Sequence, residues 1–387
     1  MADVISRRAQ IRVTTYDLGL GDPGDDRALV YHSSWTETIE SVADLGRADV
    51  DRRTFLITAP FAASATLGPS RDWLLNTLDQ LPGDRPHVHL DDVAKIRNKF
   101  AEFQQMDIFK GGGEGRLRLA KYTSDRVIPL LRRPQQDDVR SALYGAAAEQ
   151  VYLLGWMAYD NGEHGVAQRY LIQALRLAQE SHDSALGAHV LAGMADQATL
   201  LGNPKEGLRL AQAGRHGLGG TRSPACLADL WVLEARAAAV LGDSVAASRA
   251  AAAAERAFEV INVEDEPEWA RFIDQAYVFG ELANAFRDIG NPREAADRAN
   301  RSIRATEQQK RARRGALSHA ALAAAHLQSG ELEAAHREGL TTIKLAKKVK
   351  SSRSVEAVSD VAQRMRAIGT HPLVDDFCDR ARTFVAA

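Results

Sequence analysis

Ten side chains in the last two thirds of the chain are of types that bind peptides. They combine aromatic rings with charges of both signs, a mixture that suits a peptide with a charged terminus or side chain. The alternative for the aromatic members is that they pack against the preceding helices. The ten candidates are Glu149, Tyr152, Trp156, Tyr159, His189, Asp196, Arg236, Tyr277, Asn284 and Arg287.

Two arginines among these candidates, Arg236 and Arg287, are the strongest. Each lies in a stretch rich in alanine, where a charged side chain needs water or a partner. Arginine commonly binds carboxylates through its planar fork of donors. We therefore expect both to meet an anionic group of a ligand. The alternative is an internal salt bridge to Asp229 or Asp288.

Patterns that could support catalysis or metal binding are weak. His87 and His89 precede two aspartates and would share one side of an extended segment, but no second cluster completes a metal site. The glycine run at residues 111–115 suggests a phosphate cradle. It lacks the Lys-Ser/Thr ending of a P-loop and follows no strand, so a turn between helices is the better interpretation.

Nucleophile patterns are equally weak. His164, His182 and His189 are scattered and have no cysteine nearby, and neither a Ser-His-Asp set nor a dinucleotide fingerprint is recognisable. We therefore expect no enzyme activity, no catalytic residue, no cofactor and no metal.

A recurring glycine indicates the helices that would position these residues. It returns at steps of about 40 residues, with one step of about 48 that we attribute to an insertion around residues 265–267. A small residue lies seven positions before each glycine and another lies five positions after it. This pattern predicts helical hairpins with left-handed glycine turns that must stack to bury their apolar faces. The five glycines are Gly162, Gly202, Gly242, Gly290 and Gly330.

The predicted fold is all-α, an α-solenoid of tetratricopeptide-like hairpins with an irregular N-terminal segment. Residues 1–50 form that segment and a linker, with a helix from Thr36 to about Leu45. Residues 51–136 are helices capping the stack, with helices at 51–67, 71–81, 91–109 and 117–131. Residues 137–350 form five repeats, and residues 351–387 form a capping helix pair. The first helix of each hairpin would line the concave face.

Composition limits the location and the partners. The formal net charge is -2, so no global field favours nucleic acid or an anionic membrane. The only two cysteines, Cys226 and Cys378, form no metal or disulfide pattern, and no apolar run is long enough to span a membrane. Arg52 and Arg53 resemble a twin-arginine export motif, but about fifty residues precede them. We expect a cytoplasmic protein.

Two basic runs, residues 310–314 and 344–350, could contact phosphates. Because the chain as a whole is slightly acidic, we expect both runs to form solvated helix faces instead.

The repeats resemble tetratricopeptide repeats. Leu154 and Gly155 fall on that pattern, and so do the turn glycines with their small neighbours; Trp231 occupies a position where the family often has tryptophan. The step of about 40 residues exceeds the usual 34, so helices or connections are longer.

The wider chain is also similar to actinobacterial transcriptional regulators that join a Cro-repressor-type helix-turn-helix to a tetratricopeptide-like region. The similarity begins near Leu18. Since a helix-turn-helix needs roughly 50–60 residues, residues 1–20 hold at most its tail, and DNA binding is not carried over. The similarity is carried by residues 48–56 (ADVDRRTFL), 72–75 (DWLL), 111–113 with Arg116, 147–149 (AAE), 155–160 (GWMAYD), 165–175 (GVAQRYLIQAL) and 266–270 (EPEWA).

This resemblance implies a role in transcriptional control of development or secondary metabolism. We expect a regulatory protein that binds a peptide or partner protein on the concave surface. The alternatives are a scaffold without a signal ligand and a direct DNA-binding regulator. The sequence does not decide whether the chain forms a homodimer. We expect DNA contact to be weak, or to require a complete helix-turn-helix that residues 1–20 do not supply. We expect no membrane partner.

Overall fold

The described part of the chain is built from α-helices and contains no strand. The computed structural model describes residues 27–50, 61, 69–70, 88–133, 135–219 and 223–386. The N-terminal helices are α1 (Trp35–Val50), α2 (Leu90–Lys110), α3 (Arg116–Tyr122) and α4 (Ile128–Leu131). The hairpin helices are α5 (Asp137–Asp160), α6 (His164–Glu180), α7 (Ser184–Leu200), α8 (Pro204–Leu218), α9 (Pro224–Val240), α10 (Ser244–Glu259), α11 (Gln275–Asp288), α12 (Pro292–Gln309), α13 (Ala312–Gln328), α14 (Leu332–Ala346), α15 (Ser352–Arg366) and α16 (Pro372–Val385).

The all-α solenoid of helical hairpins is confirmed. Five hairpins and a final helix pair follow one another from α5 to α16, and the two helices of each of the last four pairs pack together. Residues 260–274, where we placed the insertion, form a connection with one short 3₁₀ turn, Glu268–Ala270.

The N-terminal predictions are tested only in part. The helix expected from Thr36 is present as the longer α1, and the helix at 91–109 is present as α2. The helix expected at 117–131 is interrupted by a π-turn, Thr123–Val127, in which the Ile128 amide donates to the Thr123 carbonyl. Pro129 follows directly and cannot donate a helical hydrogen bond. The helices predicted at 51–67 and 71–81, the export-like Arg52 and Arg53, and residues 1–26 lie outside the described residues.

The turns between the paired helices have the predicted conformation. All five repeat glycines have a positive φ, between 74° and 79°. After α7, the Asn203 amide donates to the Ala198 carbonyl at 2.9 Å, which closes the turn as in a Schellman motif. Glycine adopts this left-handed conformation without the steric cost that a Cβ would add.

The small residues beside the turns allow close approach of the two helices. A Cβ built on Gly155 would lie 3.2 Å from the Ala167 carbonyl oxygen, and one built on Gly207 would lie 2.9 Å from the Ala195 carbonyl oxygen. These are the paired small positions of the first and second repeats. The sequence pattern therefore marks the helix crossings as well as the turns.

The described chain divides into two compact units. Unit 1 comprises the described residues of Met1–Phe103, Gly115–Tyr159 and Glu163–Met194; unit 2 comprises Gln104–Glu114, Asp160–Gly162 and Ala195–Ala387. Within unit 2 the first helices of successive hairpins pack directly on one another, α9 on α11, α11 on α13 and α13 on α15. This layer of first helices carries the charged residues described next.

Candidate functional site

The ten predicted site residues fall into two sets of five, one in each unit. Unit 1 holds Glu149, Tyr152, Trp156, Tyr159 and His189; unit 2 holds Asp196, Arg236, Tyr277, Asn284 and Arg287. Each set is therefore described by itself.

In unit 1 the predicted residues form a packed aromatic group. The rings of Tyr152 and His189 lie 4.3 Å apart, and those of Trp156 and Tyr159 lie 5.2 Å apart. Tyr159 and His189 are buried, and burial lowers the pKa of His189 to about 3, so its ring is neutral. Glu149 is also buried, with its carboxylate 3.4 Å from Arg97. Packing, our alternative for the aromatic residues, accounts for these contacts.

In unit 2 a buried carboxylate, Glu281 on α11, lies at the centre of a group of arginines. Arg236 and Arg314 each place a guanidinium nitrogen 2.6 Å from one of its two oxygens. Arg353 lies 3.7 Å away. Although burial raises the pKa of Glu281, the three guanidiniums outweigh it and hold the pKa well below the usual value. We call Glu281, its three arginines and Asp196 the Glu281 network.

The local sequence makes room for this network. Arg236 lies between Ala235 and Ala237, which are both buried, so this part of α9 packs closely against its neighbours. On α11, a Cβ at Gly280 would lie 3.3 Å from Cδ of Arg314. Glycine there lets the Arg314 side chain reach Glu281.

Asp229 and Tyr277 form a second buried polar pair in unit 2. The Tyr277 hydroxyl donates to Asp229 Oδ1 at 2.7 Å. Burial raises the pKa of Asp229 to about 7, and the charges of Asp196 and Glu281 add to the rise while the Tyr277 hydrogen bond opposes it. Burial likewise raises the pKa of Tyr277 well above its usual value. Tyr277 is thus held inside unit 2, not exposed for a ligand.

An open cleft of about 220 Å³ lies against the Glu281 network. We call it the arginine cleft. Its walls come from α7, α9, α11, α13 and α15, the first helices of the second to fifth hairpins and of the final pair. The lining residues are Leu200, Arg236, Glu281, Asn284, Arg287, Leu317, Ala320, Arg353, Glu356, Ala357 and Asp360.

Three of the ten predicted residues, Arg236, Asn284 and Arg287, meet in this cleft. Arg287 donates to Asp288 at 2.7 Å and to Asn284 Oδ1 at 2.9 Å. The internal pairing with Asp288 that we gave as the alternative is therefore present. Arg236 also pairs internally, with Glu281 at 2.6 Å and with Asp196 at 3.3 Å.

One helix that lines the cleft, α15, carries residues that the sequence analysis missed. Arg353, Glu356 and Asp360 lie on α15, which we interpreted only as a cap. Their spacing of three and four residues places them on one face of a helix, and this was the available signal. Glu356 forms no ion pair with any other described residue. Partial burial raises the pKa of its carboxyl, and the Arg353 charge opposes the rise.

The first basic run is not the solvated face that we predicted. Arg311 pairs with Asp274 at 2.6 Å, and Arg314 pairs with Glu281. Arg313 lies 2.7 Å from both Asp107 and Asp160, and despite its burial these two carboxylates raise its pKa. The prediction failed because the carboxylate partners come from distant parts of the chain. In the second run, Lys344, Lys347 and Lys348 are exposed as expected.

The glycine run at residues 111–115 forms a turn between α2 and α3, as predicted. Its amides are already bonded: Gly112 donates to Asp160 at 2.8 Å, and Gly113 donates to the Lys350 carbonyl at 3.2 Å. The Gly111 backbone has a φ of 90° and packs against Lys350. These contacts leave no phosphate cradle there.

The remaining candidates for chemistry give no site in the part of the chain that the structure describes. His87 lies outside that part, and no group of three or more histidine, cysteine, aspartate or glutamate side chains within it could hold a metal ion. Cys226 and Cys378 are buried free thiols.

The chain matches no protein-family model and no curated protein. Among the described helices, none is both long enough and apolar enough to cross a membrane.

Proposed function

We propose that this chain is a regulatory binding protein whose arginine cleft receives a segment of a peptide or partner protein. The observation that carries the proposal is the composition of the cleft. Leu200, Leu317 and Ala320 provide an apolar surface, and charged groups of both signs surround it. A few polar groups converging on an apolar surface are typical of binding sites.

The size of the cleft favours a peptide over a cofactor. At about 220 Å³, it is smaller than the roughly 300–1,000 Å³ of small-molecule sites. One or two side chains of a bound segment would fill it. This geometry suits an anchor residue inserted from a longer ligand, with further contacts made outside the cleft.

The charges specify the chemistry of that anchor. Arg287 lies 3.9 Å from Asp360 and is part-exposed, so a ligand carboxylate could replace this long contact. Glu356, which forms no ion pair among the described residues, would receive a basic group. The ligand would therefore carry both an acidic and a basic group within a few residues of each other.

The regulatory context rests on the resemblance to actinobacterial transcriptional regulators. In that context, ligand binding in the cytoplasm would contribute to transcriptional control without catalysis. Direct DNA binding through residues 310–314 is not part of the proposal, because Arg311, Arg313 and Arg314 are engaged with carboxylates.

The test is selection of ligands from a displayed library of random 12-residue peptides, followed by calorimetric titration of an enriched peptide. We expect Arg287→Ala to weaken binding by about 1–3 kcal/mol, or roughly 5–150-fold. The matched control is Arg293→Ala, which removes an exposed arginine of α12 outside the cleft. If Arg287→Ala binds the peptide as tightly as Arg293→Ala does, the cleft is not the binding site. If no peptide is enriched, the proposal fails.

A further inference from the structure

In unit 1, the segment that precedes α1 lies along α6 and is held through its main chain. Gln173 donates from Nε2 to the carbonyl oxygens of Ala28 (3.0 Å) and Val30 (3.1 Å). One turn further along α6, Arg176 donates to the carbonyl oxygens of His32 (2.6 Å) and Ser33 (3.1 Å). Two side chains thus bind four carbonyl groups of residues 28–33.

Two aromatic rings of the same segment enclose the guanidinium that binds those carbonyls. The guanidinium carbon of Arg176 lies 3.1 Å from the ring centroid of Trp35 and 5.5 Å from that of Tyr31. The Tyr31 hydroxyl also donates to Gln179, the next residue along this face of α6. Cation–π contacts of this kind strengthen when water is excluded.

This arrangement has the features of peptide recognition. Contacts to main-chain groups provide affinity for a bound segment, and a few side chains provide specificity. Residues 30–34 are in neither helix nor strand, so their carbonyls are open to such contacts. Gln173 and Arg176 are 0% and 5% exposed, so both donors are shielded from water in the arrangement that includes residues 28–33.

We propose that this face of α6, formed by Gln173, Arg176 and Gln179, is a peptide-binding surface that residues 28–35 occupy in cis. The partner that fits it is a segment of the same irregular conformation, a short 3₁₀ turn followed by bends, with two aromatic side chains four residues apart, as Tyr31 and Trp35 are. Such a partner binds by displacing residues 28–35. This site is separate from the arginine cleft, so neither proposal depends on the other.

The experiment uses a fluorescent synthetic peptide of residues 27–36 and the full chain. In the Tyr31→Ala/Trp35→Ala variant, the cis segment loses both rings while Gln173 and Arg176 stay in place. We expect the peptide to bind this variant at least tenfold more tightly than the wild-type chain, measured by fluorescence anisotropy. A peptide with alanine at both aromatic positions should bind at least tenfold more weakly.

A third substitution locates the bound peptide. Gln173→Glu, added to the double variant, keeps the side-chain size but replaces the donor with an acceptor, and should reduce binding at least tenfold. Gln136→Glu adds the same charge at an exposed position of unit 1 and should leave binding unchanged. Circular dichroism checks that each variant is folded.

Three outcomes overturn the proposal. The first is no binding of the peptide to the folded double variant. The second is equal binding of the aromatic and alanine peptides. The third is a double variant that does not fold, because residues 28–35 would then be an integral part of unit 1 that no partner can displace.

Discussion

Replacing Glu281 with glutamine should destabilise unit 2 strongly, although it changes only one atom of the side chain. Glu281 is 1% exposed and accepts from two arginines at 2.6 Å, with a third at 3.7 Å. In Glu281→Gln, Arg236 and Arg353 would keep Asp196 as a carboxylate partner, but Arg314 would lose the carboxylate that it contacts at 2.6 Å. The new amide would also turn a donor group towards one of the guanidiniums.

The magnitude follows from the cost of removing one partner from a buried ion pair, about 3–5 kcal/mol. For a folding unit of 150–250 residues, each kcal/mol shifts the melting temperature by about 2–4 °C. We therefore expect the transition of unit 2 to fall by about 6–20 °C. Glu333→Gln removes an exposed carboxylate of α14 and should change stability by less than about 0.5 kcal/mol.

The effect should depend on pH in one direction. Because the folded pKa of Glu281 lies below the ordinary value of 4.5, its ionised form stabilises the fold at pH values above 4.5. Below that pH, the unfolded chain takes up a proton that the folded chain excludes. The difference in stability between wild type and Glu281→Gln should therefore shrink as the pH falls below 4.5.

The assay is thermal unfolding followed by circular dichroism at pH 7 and pH 3.5, with amide hydrogen exchange of α9, α11 and α13 as a local readout. Local exchange is needed because repeat proteins do not always unfold in one step. Faster exchange confined to these helices would support the role of Glu281. A melting temperature equal to that of Glu333→Gln would refute it.

Three further predictions concern burial and backbone geometry. Because burial raises the pKa of Asp229 to about 7, the folded state loses about 1.4 kcal/mol of stability per pH unit as the pH rises from 3.8 to 7. Asp229→Asn should therefore stabilise the chain against urea at pH 8 but not at pH 3.5. An equal gain in stability at both pH values would contradict the raised pKa. Gly202 has a φ of 75° and open space around it, so a side chain there meets only a backbone cost, which asparagine tolerates better than valine. Gly202→Val should therefore lower the free energy of unfolding by about 1–2 kcal/mol more than Gly202→Asn. Equal melting temperatures of the two variants would disprove this conformational cost. Gly207→Ala should lower the free energy of unfolding by about 1–3 kcal/mol because its Cβ would lie 2.9 Å from the Ala195 carbonyl oxygen. An unchanged melting temperature would show that α7 and α8 move apart at little cost.

Arg236 shows which features of the arginine cleft could be predicted from the sequence and which could not. Its place on the first helix of a hairpin could be inferred from its distance to the turn glycine. Its partners could not, since Asp196 and Glu281 lie 40 and 45 residues away. Arg287 was easier because its partner Asp288 is the next residue. The predicted pairing that the structure contains, Arg287 with Asp288, joins adjacent residues.

The sequence by itself determined the helical hairpins, their turns and their close crossings. These features depend on local requirements, namely a residue that tolerates a left-handed turn and small side chains where two connected helices cross, and Gly202 and Gly207 meet them. Only the tertiary structure decided which charged groups meet. It placed Arg313 between Asp107 and Asp160, and it brought Glu356 of the last helix pair into the arginine cleft. The physical reason is that ion pairing depends on which side chains the stacking of helices brings within a few ångströms, and residues far apart in the sequence meet only after that stacking.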